Sequence, residues 1–434
     1  MPKMAEDKTT AIVVGAGPAG STAAYLLARE GHEVILVERG TAPGCKNMYG
    51  GRMYSHALNR IIPEFWTEAP VERCVERELI TFLDGERSVS VACRDSEWAG
   101  PGCHSFTLLR AEFDAWLAAK AEEAGALLAC GIRVDDLVFE NGRVVGIRAG
   151  EDEMMADVVI AADGVNSVLA RKAGLAGPFS ARQVATGVKQ IIELPAQTIN
   201  ERFQVDDFHG AAQLFVGDCS GGVQGGGFLY TNKNSISLGL VFNVAELSRC
   251  RMKPAEALED FKSSPHIAPL IEGGREAEYS AHLVPEAGLG MMPELFGDGI
   301  LVAGDAAGFV LNLGYTVRGM DFAVASGEAA ARAVMEAKAH NDFSRNGLCR
   351  YRELLRESFV LRDLEAYRSA PEILENKRMF NQYPKLVTGL ASELFTVDGK
   401  PPARLARKIY DRIRASGIGL GQLALDGWKG ARGL

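Results

Sequence analysis

Short apolar runs alternate along the chain with stretches of helical spacing. Residues 11–14 form an apolar run that leads through a glycine-rich turn into a 3.6-residue helical pattern, and residues 34–37 form a second apolar run. Two more buried-strand patterns follow at residues 156–161 and 300–302. Apolar strands separated by helices are typical of a parallel sheet covered by helices. The pattern therefore predicts an α/β fold with a Rossmann-type sheet.

A different pattern interrupts this arrangement. Residues 79–91 and 132–149 each predict a hairpin, turning at an Asp-Gly and at an Asn-Gly pair. From about residue 180 to 282, alternating strands and glycine clusters predict an antiparallel sheet inserted into the first fold. The chain is predicted to be helical from about residue 341.

Composition excludes several classes of protein. The 434 residues are 47% hydrophobic, enough for a large core, and the net charge of −9 argues against nucleic acid as the main partner. No apolar run approaches the roughly 20 residues that span a bilayer. Residues 1–10 are polar and lack the apolar core of a secretory signal. We therefore expect a cytoplasmic protein.

The eight cysteines are dispersed and form no Cys-x-x-Cys pair. No four of them have the spacing of a zinc or iron–sulfur site. We therefore predict no metal centre, and reduced, mostly buried thiols of the kind usual in cytosolic proteins.

The first apolar run leads into Gly15-x-Gly17-x-x-Gly20. In such a turn the first glycine permits a tight bend, the second lets the backbone approach a pyrophosphate, and the third lets the helix pack on the strand. The N-terminus of the helix would face the phosphates with a partial positive charge. Glu38 closes the second strand, where an acid can accept both ribose hydroxyls and disfavours a 2′-phosphate. NAD and FAD both fit these features.

Two later turns favour FAD. Asp163-Gly164 and Gly304-Asp305 each follow a buried-strand pattern. An aspartate at a strand end can accept a ribitol hydroxyl, and the following helix can direct its positive end toward the flavin N1–C2=O region. Arg110, at the start of a predicted helix, could reach a phosphate or pair with Asp114, and the residues alone leave both interactions open.

These turns, together with the motif Arg110-x-x-Phe113-Asp114, resemble the glutathione-reductase-type flavoproteins. The similarity is strongest to the branch that holds p-hydroxybenzoate hydroxylase, geranylgeranyl reductase and electron-transfer-flavoprotein–quinone oxidoreductase. Residues 312–321, Asn-x-Gly-Tyr-Thr-Val-Arg-Gly-Met-Asp, resemble the FixC type of that oxidoreductase, a separate-subunit bacterial form associated with nitrogen fixation and carnitine metabolism. The resemblance extends to about residue 395.

The resemblance implies a glutathione-reductase-type FAD-binding Rossmann domain, an inserted antiparallel β-sheet domain for substrate or quinone, and a helical C-terminal region with a basic tail. The predicted boundaries are 1–75, 106–178 and 295–340 for the FAD-binding domain, 76–105 and 179–294 for the β-sheet domain, and 341–434 for the C-terminal region.

The resemblance also assigns roles to single residues. The three glycines would lie on the pyrophosphate, Glu38 on the ribose and Asp305 on the ribitol, while Val134 would meet the adenine through its backbone. Gly50-Gly51 and Gly319-Met320 would flank the isoalloxazine. Tyr315 and Arg318 are the candidate catalytic residues near the ring. The predicted cofactor-binding residues are Gly15, Gly17, Ala19, Gly20, Glu38, Arg39, Gly50, Gly51, Arg110, Val134, Asp163, Gly164, Gly304, Asp305, Gly319 and Met320.

The implied function is electron transfer through FAD, from an electron-transfer flavoprotein pair toward quinone. FixC-type systems resemble electron-bifurcating complexes, in which NADH is oxidised on the flavoprotein pair and low-potential electrons reach ferredoxin or flavodoxin. The chain lacks the cysteine-rich [4Fe-4S] domain of the fused enzymes, which implies a small ferredoxin-like partner subunit. The alternatives are a geranylgeranyl-reductase-like enzyme, an aromatic monooxygenase, and a flavin-bearing assembly subunit without turnover of its own.

The C-terminal tail is basic. Residues 398–434 contain eight Lys or Arg and three Asp, and Leu405, Ile409 and Ile413 recur at helical spacing. A basic amphipathic helix can lie on an anionic membrane or dock on an acidic partner, or it can pack on its own domain with a solvated basic face. We therefore expect a cytoplasmic protein. Peripheral contact with the cytoplasmic face of the inner membrane is one of the interactions that this tail allows.

Overall fold

The structure, a computed structural model, describes residues 8–45, 51–100, 102–399, 401 and 403–434. Its strands form two large sheets and a two-stranded ribbon, and its helices are concentrated toward the C-terminus. The strands are β1 (Thr9–Val14), β2 (Val34–Glu38), β3 (Gly51–Tyr54), β4 (Val71–Asp84), β5 (Arg87–Arg94), β6 (Ser105–Leu108), β7 (Leu127–Cys130), β8 (Asp136–Glu140), β9 (Arg143–Ala149), β10 (Asp152–Ala161), β11 (Val184–Glu193), β12 (His209–Gly217), β13 (Gly225–Thr231), β14 (Ser235–Asn243), β15 (Arg275–Pro285), β16 (Phe296–Gly297), β17 (Ile300–Val302), β18 (Leu311–Asn312) and β19 (Val317–Arg318). The helices are α1 (Pro18–Arg29), α2 (His56–Ile61), α3 (Arg110–Glu123), α4 (Val168–Lys172), α5 (Ala196–Phe203), α6 (Val244–Leu247), α7 (Pro254–Ser263), α8 (Ala268–Ile271), α9 (Met320–His340), α10 (Arg345–Leu348), α11 (Arg350–Glu357), α12 (Phe359–Ala366), α13 (Ala370–Leu374), α14 (Gln382–Phe395), α15 (Leu405–Ala415) and α16 (Leu420–Gly433).

The first sheet has the strand order β16-β17-β10-β1-β2-β7, with the hairpin β8–β9 attached through β10. β1 runs parallel to both β10 and β2, and β17 runs parallel to β10. Ala11 and Val13 share a buried cluster with α1, α3 and α9, whereas Ile12 and Val14 pack with the hairpin. Because both faces are covered, β1 is apolar at consecutive positions rather than at alternate ones. This confirms the predicted Rossmann-type sheet.

The second sheet has the order β15-β11-β14-β13-β12-β4-β6-β3, and β5 pairs with β4. Most neighbours are antiparallel, as predicted for the insertion, but β4 and β12 are parallel. These two strands lie more than a hundred residues apart, so no local turn fixes their direction. The sheet also includes β3 and β6. The division into domains by residue boundaries stays a prediction.

Both predicted hairpins are confirmed. β4 pairs antiparallel with β5, and β8 with β9. In the second hairpin Asn141 and Gly142 both have positive φ, at 51° and 81°, which matches the Asn-Gly signal of a tight two-residue turn.

The prediction of reduced, mostly buried thiols is wrong in two respects. Cys74 and Cys103 form a disulfide, and four of the free cysteines, at positions 45, 93, 250 and 349, are exposed. The pairing of β4 with β6 places Cys74 opposite Phe106, close to Cys103, which dispersal along the sequence could not reveal. Within the described ranges, no cluster of three potential metal ligands occurs.

The C-terminal region is helical, as predicted. In α15 Ile413 is buried, whereas Leu405 is 55% exposed. Arg412 pairs with Glu393 of α14 at 2.7 Å, so one side of α15 packs on its own chain. Among the residues that the structure describes, no helix is both long and apolar enough to cross a bilayer.

Candidate functional site

A cavity of about 1470 Å³ lies at the carboxyl ends of β1, β2, β10 and β17 and continues to the second sheet and the C-terminal helices. Parallel sheets of this type bind ligands at the carboxyl ends of their strands. Of the predicted cofactor residues that the structure describes, all but Gly20 line this cavity. Gly50 lies outside the described residues. The structure therefore brings together turns that are nearly 300 residues apart.

The glycine turn has the geometry that its three positions predict. Gly15 has a φ of +104°, and a methyl group there would lie 2.3 Å from the carbonyl oxygen of Ala162. A methyl group at Gly20 would lie 2.0 Å from the carbonyl oxygen of Gly15. At Gly17 it would point into open space, 3.9 Å from the nearest atom, Nη2 of Arg110. The outer glycines therefore close the turn, and the middle one exposes its backbone to the cavity.

Glu38 connects the end of β2 to the glycine turn through hydrogen bonds. Its carboxylate accepts hydrogen bonds from the backbone nitrogens of Ala16 at 3.1 Å and Gly40 at 2.6 Å. Arg39 and Val134 line the same end of the cavity. The bonds fix the carboxylate at the cavity wall, where an adenosine ribose would lie.

Arg110 makes one of the two interactions left open by the sequence. Its Nε and Nη2 donate to the two carboxylate oxygens of Asp114 at 2.9 and 2.8 Å. Asp114 is fully buried, so the pair holds the guanidinium rigidly at the cavity wall beside Gly17. Arg110 can therefore pair with Asp114 and still contact a phosphate in the cavity.

Two aspartates follow the later strands. Asp163 accepts a hydrogen bond from the backbone nitrogen of Leu169 at 3.0 Å, while its Oδ1 is buried without a partner. Burial raises the pKa of Asp163, and it also raises the pKa of Asp305 against the opposing influence of Arg110. Carboxylates with unused acceptor capacity at a cavity wall fit a polyhydroxy ligand such as ribitol.

The far end of the dinucleotide region is narrow. Gly51 opens β3 and lies opposite Met320, where a methyl group would come within 3.8 Å of the Met320 sulfur. Gly319 precedes α9, whose N-terminus faces the cavity. A flat ring could lie against these two backbone segments at the cavity wall.

The two candidate catalytic residues both line the cavity but are held by other groups. The Tyr315 hydroxyl donates to the carbonyl oxygen of Leu434 at 2.7 Å. Arg318 donates to Asp321 and Asp363, with its shortest contacts at 2.6 Å. Their roles stay predictions.

Sequence reasoning missed a second, apolar arm of the cavity. It lies between the second sheet, which the resemblance assigns to substrate or quinone, and the C-terminal helices. Phe228 and Tyr230 stack there with ring centroids 5.4 Å apart, and burial raises the pKa of Tyr230. Phe228 and Tyr230 occupy alternate positions of β13 and therefore share one face of the sheet. This pattern could have located the sheet side of the arm. The lining side chains are Ile80, Phe82, Leu214, Val216, Phe228, Tyr230, Val241, Leu374, Met379, Phe380, Tyr383 and Val387.

The cavity fits FAD by its own features. The backbone at Gly17 is open, an orphaned carboxylate oxygen lies at Asp163, and an arginine lies beside the glycine turn. The volume is also larger than the usual range of roughly 300–1,000 Å³ for small-molecule pockets. The fold and the cavity thus define an FAD-dependent oxidoreductase.

Comparison with known proteins agrees with this class. The model of the FAD dependent oxidoreductase family matches residues 11–214, and that of the ETF-QO/FixC family C-terminal domain matches residues 370–434. The chain is 50% identical to Protein FixC of Escherichia coli strain K12, over 98% of this chain and 99% of the relative. It is 49% identical to the probable electron transfer flavoprotein-quinone oxidoreductase YdiS of the same strain, over 99% and 100%. The chain belongs to the ETF-QO/FixC family, and its cofactor is FAD.

Solved structures support the fold. A geranylgeranyl bacteriochlorophyll reductase-like protein from Thermoplasma acidophilum aligns with a TM-score of 0.72 at 22% identity, covering 95% of this chain and 97% of that one. The halogenase PltM, solved with phloroglucinol and FAD, aligns with a TM-score of 0.63 at 16% identity, covering 96% and 86%. At these identities the likeness concerns the fold alone.

Proposed function

We propose that this chain passes electrons from an electron-transfer flavoprotein pair to quinone. It would do so as the FixC-like subunit of an electron-bifurcating complex that oxidises NADH and also reduces ferredoxin or flavodoxin. The observation that carries the proposal is the apolar arm, which belongs to the same cavity as the proposed flavin-ring position beside Gly51 and Met320. A lipophilic ring fits such an arm, and the relative YdiS is named as a probable electron transfer flavoprotein-quinone oxidoreductase, which includes both proposed redox partners.

In this proposal the dinucleotide region holds FAD through the chain's own groups. The Gly17 backbone and the N-terminus of α1 would face the pyrophosphate, with Arg110 beside it. Glu38 would accept from the ribose, and Asp163 and Asp305 from the ribitol. When bound, FAD supplies reversible electron transfer in one- or two-electron steps. The chain supplies orientation, exclusion of water and fixed charge.

The donor in this proposal is a protein rather than a pyridine nucleotide. The sequence has one strand–glycine–helix arrangement of the dinucleotide type, and FAD takes it. The described residues contain no candidate metal cluster, which is consistent with a [4Fe-4S] cluster on a separate ferredoxin-like subunit.

Stopped-flow reduction tests the donor. The FAD-loaded protein is mixed without oxygen with NADH, with NADPH, or with the reduced flavoprotein pair, and the visible flavin band is followed. The proposal predicts rapid bleaching only by the flavoprotein pair. Rapid bleaching by a pyridine nucleotide alone would contradict it and favour a geranylgeranyl-reductase-like enzyme or a monooxygenase.

A substitution that fills the apolar arm tests whether quinone binds there. Met379→Trp places bulk in the apolar arm, and we expect it to slow reoxidation by a quinone analogue at least about tenfold while reduction by the flavoprotein pair is unchanged. Phe208→Trp is the matched control, because Phe208 is 78% exposed and lies away from the cavity. Equal reoxidation rates in both variants would place the quinone elsewhere.

We also propose a peripheral contact with the cytoplasmic face of the inner membrane through the C-terminal helices. Phe395 and Val397, just before the basic tail, are 87% and 95% exposed, and Trp428, within it, is 57% exposed. Such a surface suits anionic lipid. We expect Arg407→Glu to reduce flotation with phosphatidylglycerol vesicles, whereas Arg87→Glu, at an exposed arginine of β5, leaves it unchanged.

A further inference from the structure

Arg318 is held at the cavity wall by two carboxylates from different parts of the chain. Its Nε and Nη2 donate to Oδ2 of Asp321, in the first turn of α9, at 2.8 and 2.6 Å. Its Nη1 donates to Oδ2 of Asp363, in α12, at 2.6 Å. Gly319 and Met320, the predicted neighbours of the flavin ring, lie between Arg318 and Asp321 in sequence. We call Arg318, Asp321 and Asp363 the Arg318 clamp.

Aromatic rings enclose the guanidinium. Its Cζ lies 4.7 Å from the ring centre of Phe322, 5.1 Å from that of Phe359 and 5.8 Å from that of Tyr54. Each contact favours the cation, and together with the hydrogen bonds they leave the side chain little freedom. The position of this charge is therefore built into the fold.

The clamp carries more negative than positive charge. Asp321 is 1% exposed, and its Oδ1 is buried without a hydrogen-bond partner. His56 lies 3.7 Å from Oδ2 of Asp321, but burial lowers the pKa of this histidine and favours its neutral form. One guanidinium thus faces two carboxylates in largely buried surroundings at the cavity wall. Charges in such surroundings act more strongly than they do in water.

We propose that Asp321 and Asp363 are positioning residues that hold Arg318 beside the flavin ring, and that the charge of the clamp sets how readily the bound FAD is reduced. The inference rests on the proposed ring position beside Gly51 and Met320. Reduction adds negative charge to the ring, so a neighbouring carboxylate opposes it and a guanidinium favours it. Because Asp363 belongs to α12, the clamp also connects the helical region to the redox centre.

The test is a spectroelectrochemical titration of FAD-loaded variants. Asp363→Asn removes one negative charge, and we expect the ratio of reduced to oxidised FAD at a fixed potential to rise roughly tenfold. Arg318→Gln removes the positive charge and should lower the same ratio. Opposite shifts of the FAD potential in these two variants would show an electrostatic role. A purely structural role would lower Tm without changing the potential.

Glu393→Gln is the matched control. Glu393 pairs with Arg412 at 2.7 Å, is similarly half-buried, and lies away from the cavity, so its loss should leave the potential unchanged. Asp363→Glu keeps the charge and should retain the wild-type potential, and the shift in Arg318→Gln decides the test if Asp363→Asn proves too unstable to load. An unchanged potential in loaded Asp363→Asn and Arg318→Gln overturns the inference. Failure of the flavoprotein pair to reduce the wild type would instead contradict the proposed function.

Discussion

At the scale of single residues, the glycines of the first turn have different roles: Gly20 allows close packing, and Gly17 faces the proposed ligand. Gly20 is closed in by the backbone of Gly15, whereas Gly17 has an ordinary φ of −85° and faces the cavity. The same substitution should therefore have different consequences at the two positions.

We expect Gly17→Ala to keep the fold and to weaken FAD binding at least about tenfold, because its methyl group occupies the approach to the pyrophosphate. Gly20→Ala should instead destabilise the protein by about 1–3 kcal/mol through overpacking. Thermal unfolding of the apoproteins and fluorescence titration with FAD measure the two effects. Equal loss of Tm in both variants would contradict the assignment of roles.

Asp163 gives a pH-dependent prediction. Its pKa is raised in the folded protein, so the fold favours the protonated carboxyl, and the associated stability is lost as the pH rises through the folded pKa. We expect Asp163→Asn to raise the Tm of the apoprotein at pH 7 and to leave it nearly unchanged near pH 4. Differential scanning fluorimetry across this range checks the prediction, and a difference that is larger at low pH would contradict it.

At the scale of elements, the contact between α1 and α9 brings two helix N-termini to one cavity. A methyl group at Gly327 of α9 would lie 2.2 Å from the carbonyl oxygen of Ala19 in the first turn of α1. The two helices can approach this closely only because the residue is glycine.

Gly327→Ala should therefore force the helices apart, cost about 1–3 kcal/mol of stability and lower FAD occupancy. Gly427→Ala in α16 is the control, since nothing lies within 4 Å of its added methyl group and alanine favours helix there. Urea unfolding and the ratio of flavin to protein absorbance report both effects. Normal FAD occupancy in Gly327→Ala would show that the contact does not shape the cavity.

Elements with strong local signals could be predicted from the sequence. The glycine turn and the Asn-Gly hairpin each depend on neighbouring residues, and the structure has both. The parallel pairing of β4 with β12 and the Cys74–Cys103 disulfide depend on contacts between distant segments. Periodicity carries no information about such contacts.

At the scale of the whole molecule, one cavity joins the Rossmann-type sheet, the second sheet and the C-terminal helices. The dinucleotide end was predictable because its residues follow strand ends that must meet at one edge of a parallel sheet. The apolar arm was not, because Phe228 and Phe380 are ordinary core residues in their local sequence.

The most direct test of the central claim is a crystal structure of the FAD-loaded protein. We predict the pyrophosphate at Gly17 and the N-terminus of α1, the ribose at Glu38, and the isoalloxazine beside Gly51 and Met320 with one edge toward the apolar arm. An isoalloxazine bound away from Gly51 and Met320, or separated from the apolar arm by ordered protein, would contradict the account.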